Sequence, residues 1–221
     1  MNTDTLLTDE QYFNHKRAYE LLGDRLDEVF SYVEPREANS ICYGHKTHSL
    51  LLSICTEFEA VCKFDLVRRG YINPKREKNY WNISDFATLN ENSGFDFITS
   101  INRNHYLATY EVKFQHWNSV LKPLEKFSDL VWDEKNKTLT KSTPEFYGAY
   151  NNVKHNRSEN FFEANLKNLI LSYAALTVLL HRIGFNFFCE IGSISAEASR
   201  HITGRFGTFT ASVNREIRLQ F

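Results

Sequence analysis

The segment Tyr147-Gly148-Ala149-Tyr150-Asn151-Asn152-Val153-Lys154-His155-Asn156-Arg157 packs amide, imidazole and two cations into less than three helical turns. On a helix, Asn151 and His155 are i, i+4 neighbours and face the same way. Tyr150, Lys154 and Arg157 fall at i, i+4 and i+7 and share the adjacent face. The set offers a group that titrates near neutral pH, a neutral donor and acceptor, and two positive charges. It could hold and cleave a phosphodiester: the imidazole moves a proton, and the cations stabilise charge growing on the phosphate oxygens. A plainer reading stands beside this one. Asparagines satisfy helix ends, His155 can be a hydrogen-bonded junction residue, and Lys154 and Arg157 can form a solvated face.

Other chemistry-bearing residues are more scattered. Glu57, on a preceding helix, is a candidate acceptor that orients His155. Cys42, His45 and His48 sit at i, i+3 and i+6 and offer zinc two or three ligands, but no second ligand pair of matching spacing follows. The tail carries Arg200, His201, Arg205, Arg215 and Arg218 among Phe206, Phe209 and Phe221, a basic and aromatic mixture of the kind that contacts nucleic acid. Gly204-Arg205-Phe206-Gly207 lacks the Lys-Ser/Thr of a phosphate loop, and the sequence has no Gly-x-Ser-x-Gly elbow.

The elements that must position these residues are helical for the most part. Tyr19, Leu22, Leu26, Val29 and Val33 recur at three or four residues and predict a helix from about Asp9 to Val33, ended by Glu34-Pro35. A second helix is expected from about Asn39 to Arg69, with Leu51, Ile54, Cys55, Phe58, Val61 and Cys62 as its stripe and Gly70 as its stop. A short proline turn between two long helices favours an antiparallel pair. Ile83 to Leu89 reads as one short helix. From about residue 94 the period becomes two: Phe95 and Phe97, then Asn102-Arg103-Asn104 as a turn, then Tyr106 to Phe114. Leu130-Val131-Trp132 and Thr138-Leu139-Thr140 predict a second hairpin. A helix then covers about Pro144 to His155. Phe162, Leu166, Leu169, Tyr173, Leu176, Leu180 and Ile183 alternate spacings of four and three, the seam of a helical bundle. Ile217, Leu219 and Phe221 give the tail a weak strand alternation, read as a C-terminal hairpin.

Composition bounds the rest. The 221 residues are 42% hydrophobic and 14% aromatic, which supports an ordered core and excludes a disordered chain. The net charge of −1 removes any global pull toward nucleic acid or membrane, so RNA contacts need a local patch. Leu169 to Leu180 is too short to span a bilayer, which takes about 20 apolar residues. No signal peptide is evident, and Cys42, Cys55, Cys62 and Cys189 look like reduced residues of a cytoplasmic protein.

This order of long helices, ending in a polar motif and an apolar helix, resembles the HEPN superfamily of helical-bundle domains common in bacterial toxin–antitoxin and phage-defence systems. The family motif is Arg, a polar residue, three variable residues, then His. Here Asn151 and His155 match, and Tyr150 stands at the arginine position. The runs His155-Asn156-Arg157, Asn160-Phe161, Ala164-Asn165 and Asn168, and Leu51 to Glu59, are similar to this group as well. The likeness covers about residues 9–93 and 144–185. It implies an antiparallel HEPN-like helical bundle, core about 9–93 and 144–190; together with the β-hairpin insertion at about 94–142 and the tail at 200–221, which the alternation predicts and the likeness does not cover, the chain reads as a single mainly α domain over 1–221. The likeness further implies a homodimer and a metal-independent endoribonuclease without cofactor, in which groups of both subunits help a ribose 2′-OH attack the adjacent phosphate. Carried over, His155 is the acid/base, Asn151 orients it or the phosphate, Arg157 or Lys154 stands in for the missing cation, and Tyr150 offers a hydrogen bond. Losing that cation costs several kcal/mol of transition-state stabilisation. A catalytically silent domain that binds RNA, an antitoxin or another protein is therefore the alternative.

Overall fold

A computed structural model describes residues 9–75, 77–90, 95–96, 101–102, 107–114, 117–133, 138–183, 199–204, 207–212 and 216–219. The described structure is mainly helical, with small two- and three-stranded sheets added to a helical bundle.

Helix α1 runs Asp9–Phe30 and α2 runs His45–Arg68. The second begins later than its periodicity suggests. Glu37–Asn39 makes a separate 3-10 turn, and the helix starts where the Thr47 hydroxyl accepts from the Gly44 N–H and donates to its carbonyl, both at 2.8 Å. It stops as expected. Gly70 adopts φ 68°, the Tyr71 N–H donates to the Leu66 carbonyl and the Gly70 N–H to that of Val67, a left-handed C-terminal cap. Ion pairs and hydrogen bonds fix the antiparallel register of α1 and α2: His15 with Glu57, Arg25 with Ser49 and Ser53, Lys46 with Glu28.

The helix expected over 83–89 is shorter. Helix α3 spans Ile83–Phe86, and Ala87–Asn90 tighten to a 3-10 turn. Helix α4 spans Glu145–His155, α5 Arg157–Asn160 and α6 Leu166–Arg182. Helix α6 is buried nearly all round rather than along one seam, as befits the central helix of a bundle. Asn165 caps it by accepting from the Asn168 N–H at 3.0 Å. This cap leaves Phe162, assigned to the seam by its spacing, before the helix and 55% exposed. Tyr19 of α1 reaches α6, stacking on Tyr173 with centroids 4.8 Å apart and sharing a 2.9 Å hydrogen bond with Thr177. Burial pushes its hydroxyl pKa up to about 12. Burial also raises the thiols of Cys55 and Cys62 well above their usual range. Cys189 lies outside the described residues.

The insertion holds strands, with two changes from the sequence expectation. Strand β1 (Phe95–Asp96) pairs with β2 (Ile101–Asn102), so Asn102 is a strand residue and not a turn. Leu107–Thr109 form a 3-10 turn where a strand was expected, with Leu107 buried and the Ala108 N–H donating to the Asn90 side chain at 2.8 Å. The strand is confined to β3, Glu111–Phe114, beside β4, Val120–Leu121. The second hairpin forms as read, β5 (Leu130–Asp133) against β6 (Thr138–Lys141). In the tail, β7 (Ser199–Gly204) and β8 (Gly207–Ser212) make the hairpin. Strand β9 (Glu216–Leu219) instead returns to lie parallel to β3, a long-range pairing that local alternation does not encode. Arg205, Phe206, Arg215 and Phe221 of the basic tail lie outside the described residues. No helix among the described residues is long and apolar enough to cross a membrane.

Candidate functional site

Helix α4 positions the motif. Pro144 precedes its first residue, where a missing N–H costs nothing. Phe146, Tyr147, Ala149, Tyr150 and Val153 are buried and seat the helix antiparallel on α2. Phe58 meets Phe146 edge-on at 5.5 Å, and the Tyr147 hydroxyl donates to Glu59 at 2.7 Å. Farther along, the His48 ring hydrogen-bonds the Val153 backbone.

Asn151 and His155 both lie within the intact helix, one turn apart, so they share a face as expected. Asn151 is half-buried and His155 exposed. Tyr150 is only 2% exposed, which corrects its reading as a substrate contact. Its ring packs beside Tyr147 at 5.4 Å. Its hydroxyl accepts from the Lys154 ammonium at 2.9 Å, and that ammonium lies 4.8 Å from the Tyr150 ring centroid. The hydrogen bond to Tyr150, more than any other influence, raises the Lys154 pKa. Tyr150 is thus a buried aromatic base for an exposed lysine.

Arg157 does not share that face. The helix breaks at Asn156, with φ −144° and ψ 70°, and Arg157 opens α5. The i+7 relation to Tyr150 requires an unbroken helix, so it fails. Arg157 lies instead near His48, where α2 begins. Burial, then the charges of Arg157 and His45, lower the His48 pKa, opposed by its bond to Val153. The His48 Nε2 atom is buried without a hydrogen-bond partner among the described residues.

Glu57 is also misassigned. It pairs with His15 of α1 at 2.8 Å, on the side of α2 away from α4, and Glu59 is the acid that reaches the motif helix. Both flank the apolar stripe of α2. Glu59 lies four residues from Cys55 and one from Phe58, the residue that meets α4, and this phase was the available signal. Two asparagines take structural roles: Asn152 donates to the Glu163 carboxylate at 2.9 and 3.1 Å, and Asn156 to Glu159 at 2.6 Å. Among the described residues, no three His, Cys, Asp or Glu side chains are grouped to hold a metal ion.

Around the start of α2 the rings converge. Phe161, in the 3-10 turn after α5, contacts Tyr43 at 5.5 Å, His45 at 5.0 Å and His48 at 5.6 Å.

No family model matches the chain, and no curated protein or solved structure matches it either.

Proposed function

We propose that the chain is an RNA-directed, HEPN-like domain of bacterial defence or toxin type, and that the C-terminal half of α4 is a metal-independent endoribonuclease centre. The observation that carries the reading is the pairing of Asn151 and His155 on one turn of an intact helix, both reaching solvent, beside the ammonium of Lys154 anchored on Tyr150. His155 takes the proton of a ribose 2′-OH as that oxygen attacks the adjacent phosphorus. The bond from phosphorus to the 5′-oxygen breaks, and an imidazolium returns a proton to the departing oxygen. The products are a 2′,3′-cyclic phosphate and a 5′-hydroxyl. Lys154 stabilises the charge gathering on the phosphate, and Asn151 holds a phosphate oxygen or the imidazole. A homodimer brings two such faces together, and an antitoxin or other protein partner acts by covering them.

A second reading, RNA or protein binding without cleavage, draws on the burial of Tyr150, which sends no cation of its own into the site. One experiment decides between them: a mixed RNA pool is treated in EDTA with the wild type and with His155→Ala, followed by analysis of the 3′ ends. Cyclic phosphate ends that vanish in the variant establish the nuclease. RNA binding with no cleavage establishes the second reading, and absence of both refutes the RNA-directed assignment.

A further inference from the structure

We infer that Tyr43 and Phe161 form a stacking platform for an unpaired base of single-stranded RNA, with Arg157 beside it for the attached phosphate. The inference rests on the RNA-directed reading of α4 and adds a subsite to it.

The first support is rigidity in an exposed place. Tyr43 is 54% exposed, yet its backbone is fixed. It forms a bridge with Asn165, the Leu166 N–H donates to the Cys42 carbonyl at 2.8 Å and the Lys167 N–H to the Ser40 carbonyl at 2.9 Å. Its ring stands nearly perpendicular to Phe161, at 85°. Phe161 also contacts the rings of His45 and His48. A ring carried on paired backbone and packed against Phe161 loses less freedom when a base stacks on it than one on an unpaired loop.

The second support is charge. Arg157 lies near His48, whose ring contacts Phe161 at 5.6 Å. Arg157 is exposed and makes no ion pair among the described residues. The nearby carboxylates of Glu159 and Glu163 are each engaged by an asparagine amide. Fixed charges in 154–163 balance, Lys154 and Arg157 against the two glutamates, so a phosphate here is held by the local placement of Arg157 and not by a general positive field. Interleaved rings and cations are the features that bind single strands, because every base offers a π-face. The patch also adjoins the catalytic face: Val153, whose backbone His48 bonds, is two residues from His155.

The test is fluorescence anisotropy on the full chain, in a His155→Ala background so that the probe survives. The probes are an unstructured RNA of about 12 nucleotides, its abasic counterpart and the same sequence as a duplex. Tyr43→Ala should weaken binding of the single strand about ten-fold or more, while Tyr43→Phe keeps it. The parent should prefer the single strand to both the abasic and the duplex forms, and Tyr43→Ala should lose the preference over the abasic form. Equal binding by Tyr43→Ala and its parent overturns the platform and leaves the RNA-directed reading intact, assigning the patch to a protein contact. Equal affinity for duplex and single strand also overturns the platform alone. If the parent binds no RNA, both readings fall.

Discussion

The contact between Lys154 and Tyr150 can be weighed by a double-mutant cycle of Tyr150→Phe and Lys154→Met. Tyr150→Phe keeps the buried ring and the cation above it, 4.8 Å from the centroid, and removes only the 2.9 Å hydrogen bond. A neutral hydrogen bond nets about 0.5–1.5 kcal/mol and one to a charged group about 1.5–3 kcal/mol. Lys154 is exposed, so water screens its charge and the lower range applies. The expected cost is about 1 kcal/mol. For a chain of 221 residues that lowers Tm by roughly 2–4 °C. Lys154→Met should cost more, because it strips the partner from a hydroxyl on a side chain that is 2% exposed and a buried polar group left unpaired carries its full desolvation penalty. In the Tyr150→Phe background no hydroxyl remains, and Lys154→Met should cost little. Urea unfolding of the four proteins gives the coupling, expected at about 1 kcal/mol. If Lys154→Met costs the same in both backgrounds, the ammonium is not held on Tyr150, and the account of Lys154 as the positioned cation fails.

Two further outcomes follow from the backbone and from titration. Gly70→Ala should destabilise by about 1 kcal/mol; φ is 68° and a Cβ there meets nothing within 4 Å, so the cost is conformational, and Gly70→Asn measured by the same unfolding assay should lose less. For His48, the folded pKa lies below the unfolded value of about 6.5, so the unfolded chain binds more protons as pH falls. Its contribution is fully present above about pH 6.5 and is lost as pH drops toward the folded pKa, where the charged ring would face Arg157 and His45; urea midpoints across this range should fall in the wild type and fall less in His48→Gln.

Much of this architecture could be read from the sequence where the signal is local. Gly70, the proline after α1, the strongly patterned α2 and the 130–141 hairpin each announce themselves through their own neighbours. The sequence misleads where a distant residue decides, or where a cap overrides the hydrophobic spacing. Leu107–Thr109 alternate like a strand, but the Asn90 side chain claims the Ala108 N–H and turns the segment into a 3-10 helix. Phe162 has the spacing of the α6 seam, yet Asn165 starts that helix after it. The pairing of β9 with β3 joins positions about a hundred residues apart in a register no alternation specifies. The same division holds at the site. Asn151 and His155 needed only the helical repeat, whereas choosing Glu59 over Glu57 required knowing which side of α2 meets α4.

The break at Asn156 shapes the chemistry more than any single side chain. With an unbroken helix, Tyr150, Lys154 and Arg157 would converge on one phosphate, and either cation could replace the other. The break separates them. Lys154 is tied to Tyr150, whose neighbour Tyr147 is tied to Glu59 in the middle of α2, so its ammonium is placed by a partly buried chain of contacts. Arg157 belongs with the rings at the start of α2, near His48 and Phe161. Under the proposed ribonuclease reading, a single phosphate would offer no reason to divide two cations this way, but a strand would: the reacting phosphate would need a charge fixed in place beside His155, and a flanking nucleotide a ring to stack on and a charge for its backbone. Under that same proposal, Tyr150 would change how the cation is delivered and would not erase the site, since the buried tyrosine is what holds the lysine there.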